Sequence, residues 1–89
     1  MRTPVYTTRF KKDLKRMQER GFDVEGIKAV MRDLIEEMPL APKYRDHVLI
    51  GNFKDRREYH IEPDWLLIYR IDGLRIIFER TGRHADLFK

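Results

Sequence analysis

Histidine is scarce in this 89-residue sequence, and its three copies, His47, His60 and His84, fall in strand-like segments or next to turn residues. Imidazole titrates near neutrality, so two histidines placed across a phosphodiester can act as general base and general acid. An arginine nearby can hold the scissile phosphate and offset the charge that develops in the transition state. Asp64 can orient a histidine or share the proton work. RNA brings its own nucleophile in the 2′-OH, so a site of this kind needs no metal and no cofactor. The same histidines also fit a plainer reading, as surface or hydrogen-bonded structural residues. No His-x3-His or similar pair points to zinc. No glycine loop able to cradle phosphates points to nucleoside triphosphate chemistry.

The segments that must position these groups can be read from side-chain periodicity. Across Arg57–Glu62, alternation places Arg57, Tyr59 and Ile61 on one face of a strand and Glu58, His60 and Glu62 on the other. After Pro63-Asp64, the unbroken apolar run Trp65 to Tyr69 predicts a central strand covered on both sides. Asp72-Gly73 predicts a two-residue type I′ hairpin turn leading into a strand from Leu74 to Phe78. In that register Trp65 faces Arg80 and Asp64 lies beside Thr81. Asp64, Trp65 and Arg80 then meet at one end of the sheet, with His84 just beyond. Thr81-Gly82-Arg83-His84 turns the chain, and Ala85 to Phe88 is expected as a last short strand.

The first half of the chain supplies the helical layer. Thr3 to Thr7 reads as a short extended segment, and Pro4, which has no N–H to donate, places it at a sheet edge or at a strand start. Thr7 or Thr8 caps a helix with Phe10, Leu14 and Met17 at helical spacing, and Gly21 stops it. Asp23 caps a second helix whose stripe is Ile27, Val30, Met31, Leu34, Ile35 and Met38. A connecting loop from Pro39 to Asp46, stiffened by two prolines, leads into a strand beginning His47-Val48-Leu49-Ile50 and punctuated by Gly51-Asn52. The order predicts an α+β fold: an N-terminal strand, an antiparallel helical hairpin, then an antiparallel meander with the helices on one sheet face.

Composition narrows the classes. The length suits a single domain over residues 1–89. Cysteine is absent, which removes disulfides and thiolate metal sites. The N-terminal residues lack the apolar core of a signal peptide, and no apolar run is long enough for a bilayer, so a cytoplasmic protein is expected. The net charge is +4, and the stretch Arg9 to Arg20 accounts for that excess by itself. Lys11, Lys12, Lys15 and Arg16 lie off the apolar stripe of the first helix and should face solvent. Such a cluster attracts nucleic acid, a ribosomal surface or an acidic protein, although a merely solvated face would look the same. Phe88, next to the end and just after the Arg83-His84 turn, either closes the core or stacks on a base.

Three segments carry a family resemblance: His47 to Asn52, Arg57 to Tyr69, and Arg80-Thr81-Gly82-Arg83-His84-Ala85-Asp86-Leu87-Phe88. In this order and spacing they closely resemble YafQ-type toxins of the RelE/ParE superfamily of bacterial toxin–antitoxin systems, over nearly the whole chain. The resemblance implies an mRNA interferase that cuts messenger RNA in the ribosomal A site and is neutralised by a cognate antitoxin. It also implies that His47, His60, Asp64, Arg80 and His84 are catalytic and that Phe88 is the C-terminal aromatic of the site. No departure from the family pattern occurs at these positions. RelE itself is similar in fold but relies on basic and tyrosine side chains. The rival classes are a ParE-like gyrase poison of the same fold, which binds protein instead of cutting RNA, and a nonenzymatic nucleic-acid-binding module. Neither accounts for the histidine set.

Overall fold

A computed structural model describes residues 1–38, the backbone of residues 47 and 48, and residues 56–88. The elements run β1 (Thr3–Tyr6), α1 (Thr8–Glu19), α2 (Val24–Ile35), β2 (His47–Val48), β3 (Arg57–Glu62), β4 (Trp65–Asp72), β5 (Arg75–Gly82) and α3 (His84–Leu87). They form the expected α+β arrangement. The strands make one sheet in the order β1-β5-β4-β3-β2, with β1 parallel to β5 and the other neighbours antiparallel. Pro4 lies on an edge strand, where its missing donor costs no ladder bond. The expected loop from Pro39 to Asp46, Leu49-Ile50 and the punctuation at Gly51-Asn52 lie outside the described residues. No helix among the described residues is long and apolar enough to cross a membrane.

Both long helices start and stop where local chemistry directs. The Thr7 hydroxyl accepts the Phe10 N–H at 3.0 Å, and the Asp23 carboxylate accepts the Glu25 N–H at 2.9 Å. Gly21, at φ +90°, takes the left-handed step that closes α1, a conformation that disfavours any residue with a Cβ. The stripe of α2 is shorter than expected. The helix ends at Ile35, Glu37 turns the backbone with φ 61°, and Met38 projects into solvent. A left-handed residue cannot continue a right-handed helix, so Met38 never reaches the stripe.

The apolar run of β4 serves two cores. Trp65, Leu67 and Tyr69 point toward α1 and α2 and pack with Phe10, Met17, Ile27, Leu34, Tyr59, Ile76 and Phe78. Leu66 and Ile68 point the other way and meet Leu87 of α3. Each fully buried side chain of this size contributes about 1.5–3 kcal/mol relative to an exposed one. The continuous hydrophobicity of β4 therefore follows from burial on both faces. The far face is covered by the short α3 and is the one that carries Glu58 and His60.

The hairpin differs from the expected one. Asp72 pairs with Arg75, so the two loop residues are Gly73 and Leu74. Gly73 has φ +60° and no other residue of the loop is left-handed, which fits Gly at the first central position, as in a type II′ turn. A bulge at Glu79 adds a further offset, because Tyr69 pairs with Phe78 and Ile68 with Arg80. Arg80 thus faces Ile68 instead of Trp65, and the strand extends to Gly82. Asp64 is carried past Thr81 to Arg83 and His84. The last segment is also different: residues 84–87 form a helical turn, not a strand. The Asp86 carboxylate accepts the Arg83 N–H at 3.0 Å and Asp64 accepts the His84 N–H at 3.1 Å, so two free donors at the start of that turn are satisfied.

Candidate active site

The site is built around Asp64, in the turn between β3 and β4. One of its oxygens, Oδ1, accepts from both the backbone N–H of His84, at 3.1 Å, and the imidazole Nδ1 of the same residue, at 2.7 Å. The other, Oδ2, accepts from Arg83 Nε at 2.8 Å. The His84 ring, its backbone N–H and then the Arg83 guanidinium hold this carboxyl well below the usual carboxylate range. Asp64 is consequently ionised wherever the protein works. An ionised acceptor at 2.7 Å requires the proton on Nδ1, which leaves Nε2 as the nitrogen that exchanges protons. The His84 side chain is 50% exposed.

His60 lies alongside, on the far face of β3, with its ring centroid 6.0 Å from that of His84. Its Nε2 is 3.4 Å from Glu58 Oε1. Glu58 is buried, and a carboxylate taken out of water needs such a partner. Glu58, His60 and His84 each offer a ligand atom, and these atoms all lie within 4.8 Å of one another. Two imidazoles and a carboxylate at that spacing suit a divalent transition-metal ion. The side chain of His47 lies outside the described residues; its backbone pairs across the β2–β3 ladder with Glu58.

Phe88 lies next to His84. It is 40% exposed, and its ring lies 6.2 Å from His84. A partly exposed aromatic ring is the kind of side chain on which a base can stack. Phe88→Ala is expected to weaken RNA engagement by about 1–3 kcal/mol while thermal melts stay close to wild type. A large drop in melting temperature with a proportionate fall in activity would return Phe88 to a packing role.

Arg80 is brought to a different partner. Its Nε donates to Asp13 Oδ2 at 2.6 Å and its Nη2 to Oδ1 at 3.2 Å. Arg16 also donates to Asp13, at 2.8 Å, so of the four basic residues expected to face solvent only Lys11, Lys12 and Lys15 do so fully. Trp65 is structural: its indole N–H donates to Thr81 Oγ1 at 2.9 Å, and that hydroxyl donates to the Leu66 carbonyl at 2.8 Å. Sequence reasoning passed over Asp13, although a signal existed. Phe10, Asp13, Leu14 and Met17 share one helical stripe, and an acid among core positions needs a cation. Arg83, the second partner of Asp64, was visible only as part of a turn.

The family model of the bacterial toxin of type II toxin–antitoxin systems, YafQ, matches residues 2–89. The chain belongs to the YafQ family. The mRNA interferase toxin YafQ of Escherichia coli K12 is 44% identical over 84 residues, covering 93% of this chain and 91% of the relative. The crystal structure of the E. coli DinJ–YafQ toxin–antitoxin complex holds a chain 43% identical to this one. It superposes with a TM-score of 0.91, covering 99% of this chain and 98% of the other. A metal-bound toxin from Helicobacter pylori is likewise 43% identical with a TM-score of 0.91, covering 99% of this chain and 100% of its own. The YafQ-family fold thus accounts for the whole described sheet. An mRNA interferase is an endoribonuclease, the class to which a paired-histidine site on that sheet is chemically suited.

Proposed function

We propose that this YafQ-family toxin is an endoribonuclease that cuts messenger RNA on the ribosome and is silenced by a cognate antitoxin. The observation that carries the reading is the His84 imidazole, locked by Asp64 through Nδ1 and set 6.0 Å from the His60 ring. In the reaction, the RNA 2′-OH attacks the adjacent phosphorus and the 5′-oxygen of the next nucleotide leaves. One imidazole takes the proton from the 2′-OH and the other gives a proton to the leaving oxygen. His84 and His60 fill these two roles, His47 supports them, and Arg80 binds the phosphate. Phe88 stacks on a neighbouring base. The products are a 2′,3′-cyclic phosphate and a free 5′-OH.

The E. coli complex supports an antitoxin partner for this chain too. Incubating the purified toxin with translating ribosomes, then mapping 3′ ends, tests the reading directly. Discrete cleavage in the A site is the expected result. Inhibition of gyrase with intact messenger would instead identify a ParE-like poison, and RNA binding with neither effect a nonenzymatic module.

A second reading of Glu58, His60 and His84, as the seat of a divalent transition-metal ion, is supported by the metal-bound H. pylori toxin. An ion there would occupy the imidazole nitrogen that proton transfer requires, so it would hold the site inactive. The cleavage chemistry takes no step through it.

The exposed lysines of α1 supply the docking term. Lys11, Lys12 and Lys15 face solvent on the helix side opposite Phe10 and Met17. Ribosomal RNA would add sequence-independent, salt-dependent affinity there without touching the chemistry. Neutralising the three lysines is expected to lower ribosomal cleavage and to make its salt dependence shallower, by about one unit of log–log slope per lost phosphate contact. Cutting of a short free RNA should change little. Unchanged ribosomal cleavage with weaker antitoxin binding would assign this face to the protein partner.

A further inference from the structure

Beyond the sheet edge that carries Arg80, one acidic residue does more than join a helix to a strand. β1 ends at Tyr6, whose partner is Phe78, so among the described residues the rest of β5 has no strand on that side. The Thr7 hydroxyl donates to the Glu79 carbonyl at 2.9 Å, and Asp13 accepts the Thr81 N–H at 3.3 Å. The N-cap and the middle of α1 therefore replace the missing strand as hydrogen-bond partners for Glu79 and Thr81. Asp13 is only 4% exposed, and its remaining capacity is taken by Arg16 and Arg80.

The way Arg80 is held is specific. Nε and Nη2 form the side-on fork of a guanidinium, and both donate to Asp13. Nη1, which with the second hydrogen of Nη2 forms the end-on fork, has no protein partner among the described residues. A planar guanidinium gripped on one edge can present the other edge to a phosphate in a single orientation. We propose that Asp13 is a positioning residue that aims the end-on fork of Arg80 at the substrate phosphate. It does not touch the RNA itself. The proposal rests on the RNA-cleaving reading of the site. It adds that α1, whose outer face carries the lysines, is tied through its inner face to the residue that meets the phosphate.

A tie that only held α1 in place would predict a different pattern of losses from one that orients Arg80. The full-length toxin is compared as wild type, Asp13→Asn, Asp13→Glu, Arg80→Ala and the double variant Asp13→Asn with Arg80→Ala. Single-turnover cleavage is measured on programmed ribosomes at saturating toxin. Asp13→Asn is expected to lower the rate about 10- to 100-fold, the usual result of misplacing a transition-state contact by an ångström or so. Asp13→Glu keeps the charge, shifts it by one methylene, and should show a smaller loss in the same direction. The double variant should be no slower than Arg80→Ala alone, because the two side chains act as one unit.

A second readout is independent of cleavage. The Arg80 Nε–H resonance should exchange slowly with water in the wild type and quickly in Asp13→Asn. Titration with inorganic phosphate should shift the Arg80 guanidinium signals in the wild type and much less in that variant. Near wild-type cleavage by Asp13→Asn, or losses that multiply in the double variant, would overturn the proposal. An equal phosphate response in both proteins would do the same. If the wild type cleaves nothing on ribosomes, the RNA-cleaving reading fails, and the phosphate titration still decides whether Asp13 aims Arg80.

Discussion

Replacing His84 by alanine is expected to slow cleavage by about 10²–10⁴-fold, the share that a positioned acid–base group normally supplies. The fold should survive. His84 is half exposed, and the hydrogen bond from its backbone N–H to Asp64 does not depend on the side chain. Single-turnover cleavage on ribosomes, with circular dichroism of the same preparation, checks both halves. Cleavage within a few-fold of wild type by a folded His84→Ala protein would remove this residue from the proton-transfer role.

The pH dependence follows from the same geometry. Asp64 is held below its ordinary range by the His84 ring, the His84 N–H and Arg83. A carboxyl lowered in this way stabilises the folded state above its unfolded value near 4, and the benefit fades as the pH drops through the lowered value. Asp64 therefore stays charged through the acid limb of any rate profile.

The largest expected loss of stability is at Trp65. Its side chain is 1% exposed, packs edge-on against Phe22 with ring centroids 5.2 Å apart, and donates to Thr81. Trp65→Ala is expected to cost about 3–5 kcal/mol through the cavity it leaves. That is a large part of the roughly 5–15 kcal/mol that holds a typical domain folded. Chemical denaturation should show a lower midpoint with an unchanged slope. Trp65→Phe keeps most of the ring, removes the indole donor and should cost less. A midpoint close to wild type for Trp65→Ala would mean that the core closes around the gap.

The consequences of Trp65 extend to the site, because Asp64 precedes it. The ring anchors the start of β4 to Thr81, and Asp64 sits one residue upstream with its carboxylate on Arg83 and His84. Gly82 brings the next segment close: a Cβ there would lie 3.1 Å from Asp86 Cβ and 3.2 Å from Asp86 Oδ2. Arg20, at the end of α1, reaches the same Asp86 oxygen at 2.8 Å. The α1 region thus grips the segment from β5 to α3 at two points, Asp13 on Arg80 and Arg20 on Asp86.

The sequence by itself determined the features that depend on neighbouring residues. Thr7 and Asp23 cap the helices they precede, and a cap acts within three residues. Alternation placed Glu58 and His60 on one face of β3, and the apolar run identified β4 as the strand buried on both sides. The tertiary structure alone decided the rest, because the deciding contacts join distant parts of the chain. Asp-Gly can be read as the two turn residues or as the residue before the turn and its first position, and only pairing along β4 and β5 chooses between them. The Glu79 bulge then sets which residue meets which. Residues 84–87 carry too little periodicity to specify a helix, and their first N–H is satisfied by an acid 20 residues away. Arg80 finds Asp13 across 67 residues of chain, a pairing that exists only once α1 has packed on the sheet edge where β1 stops.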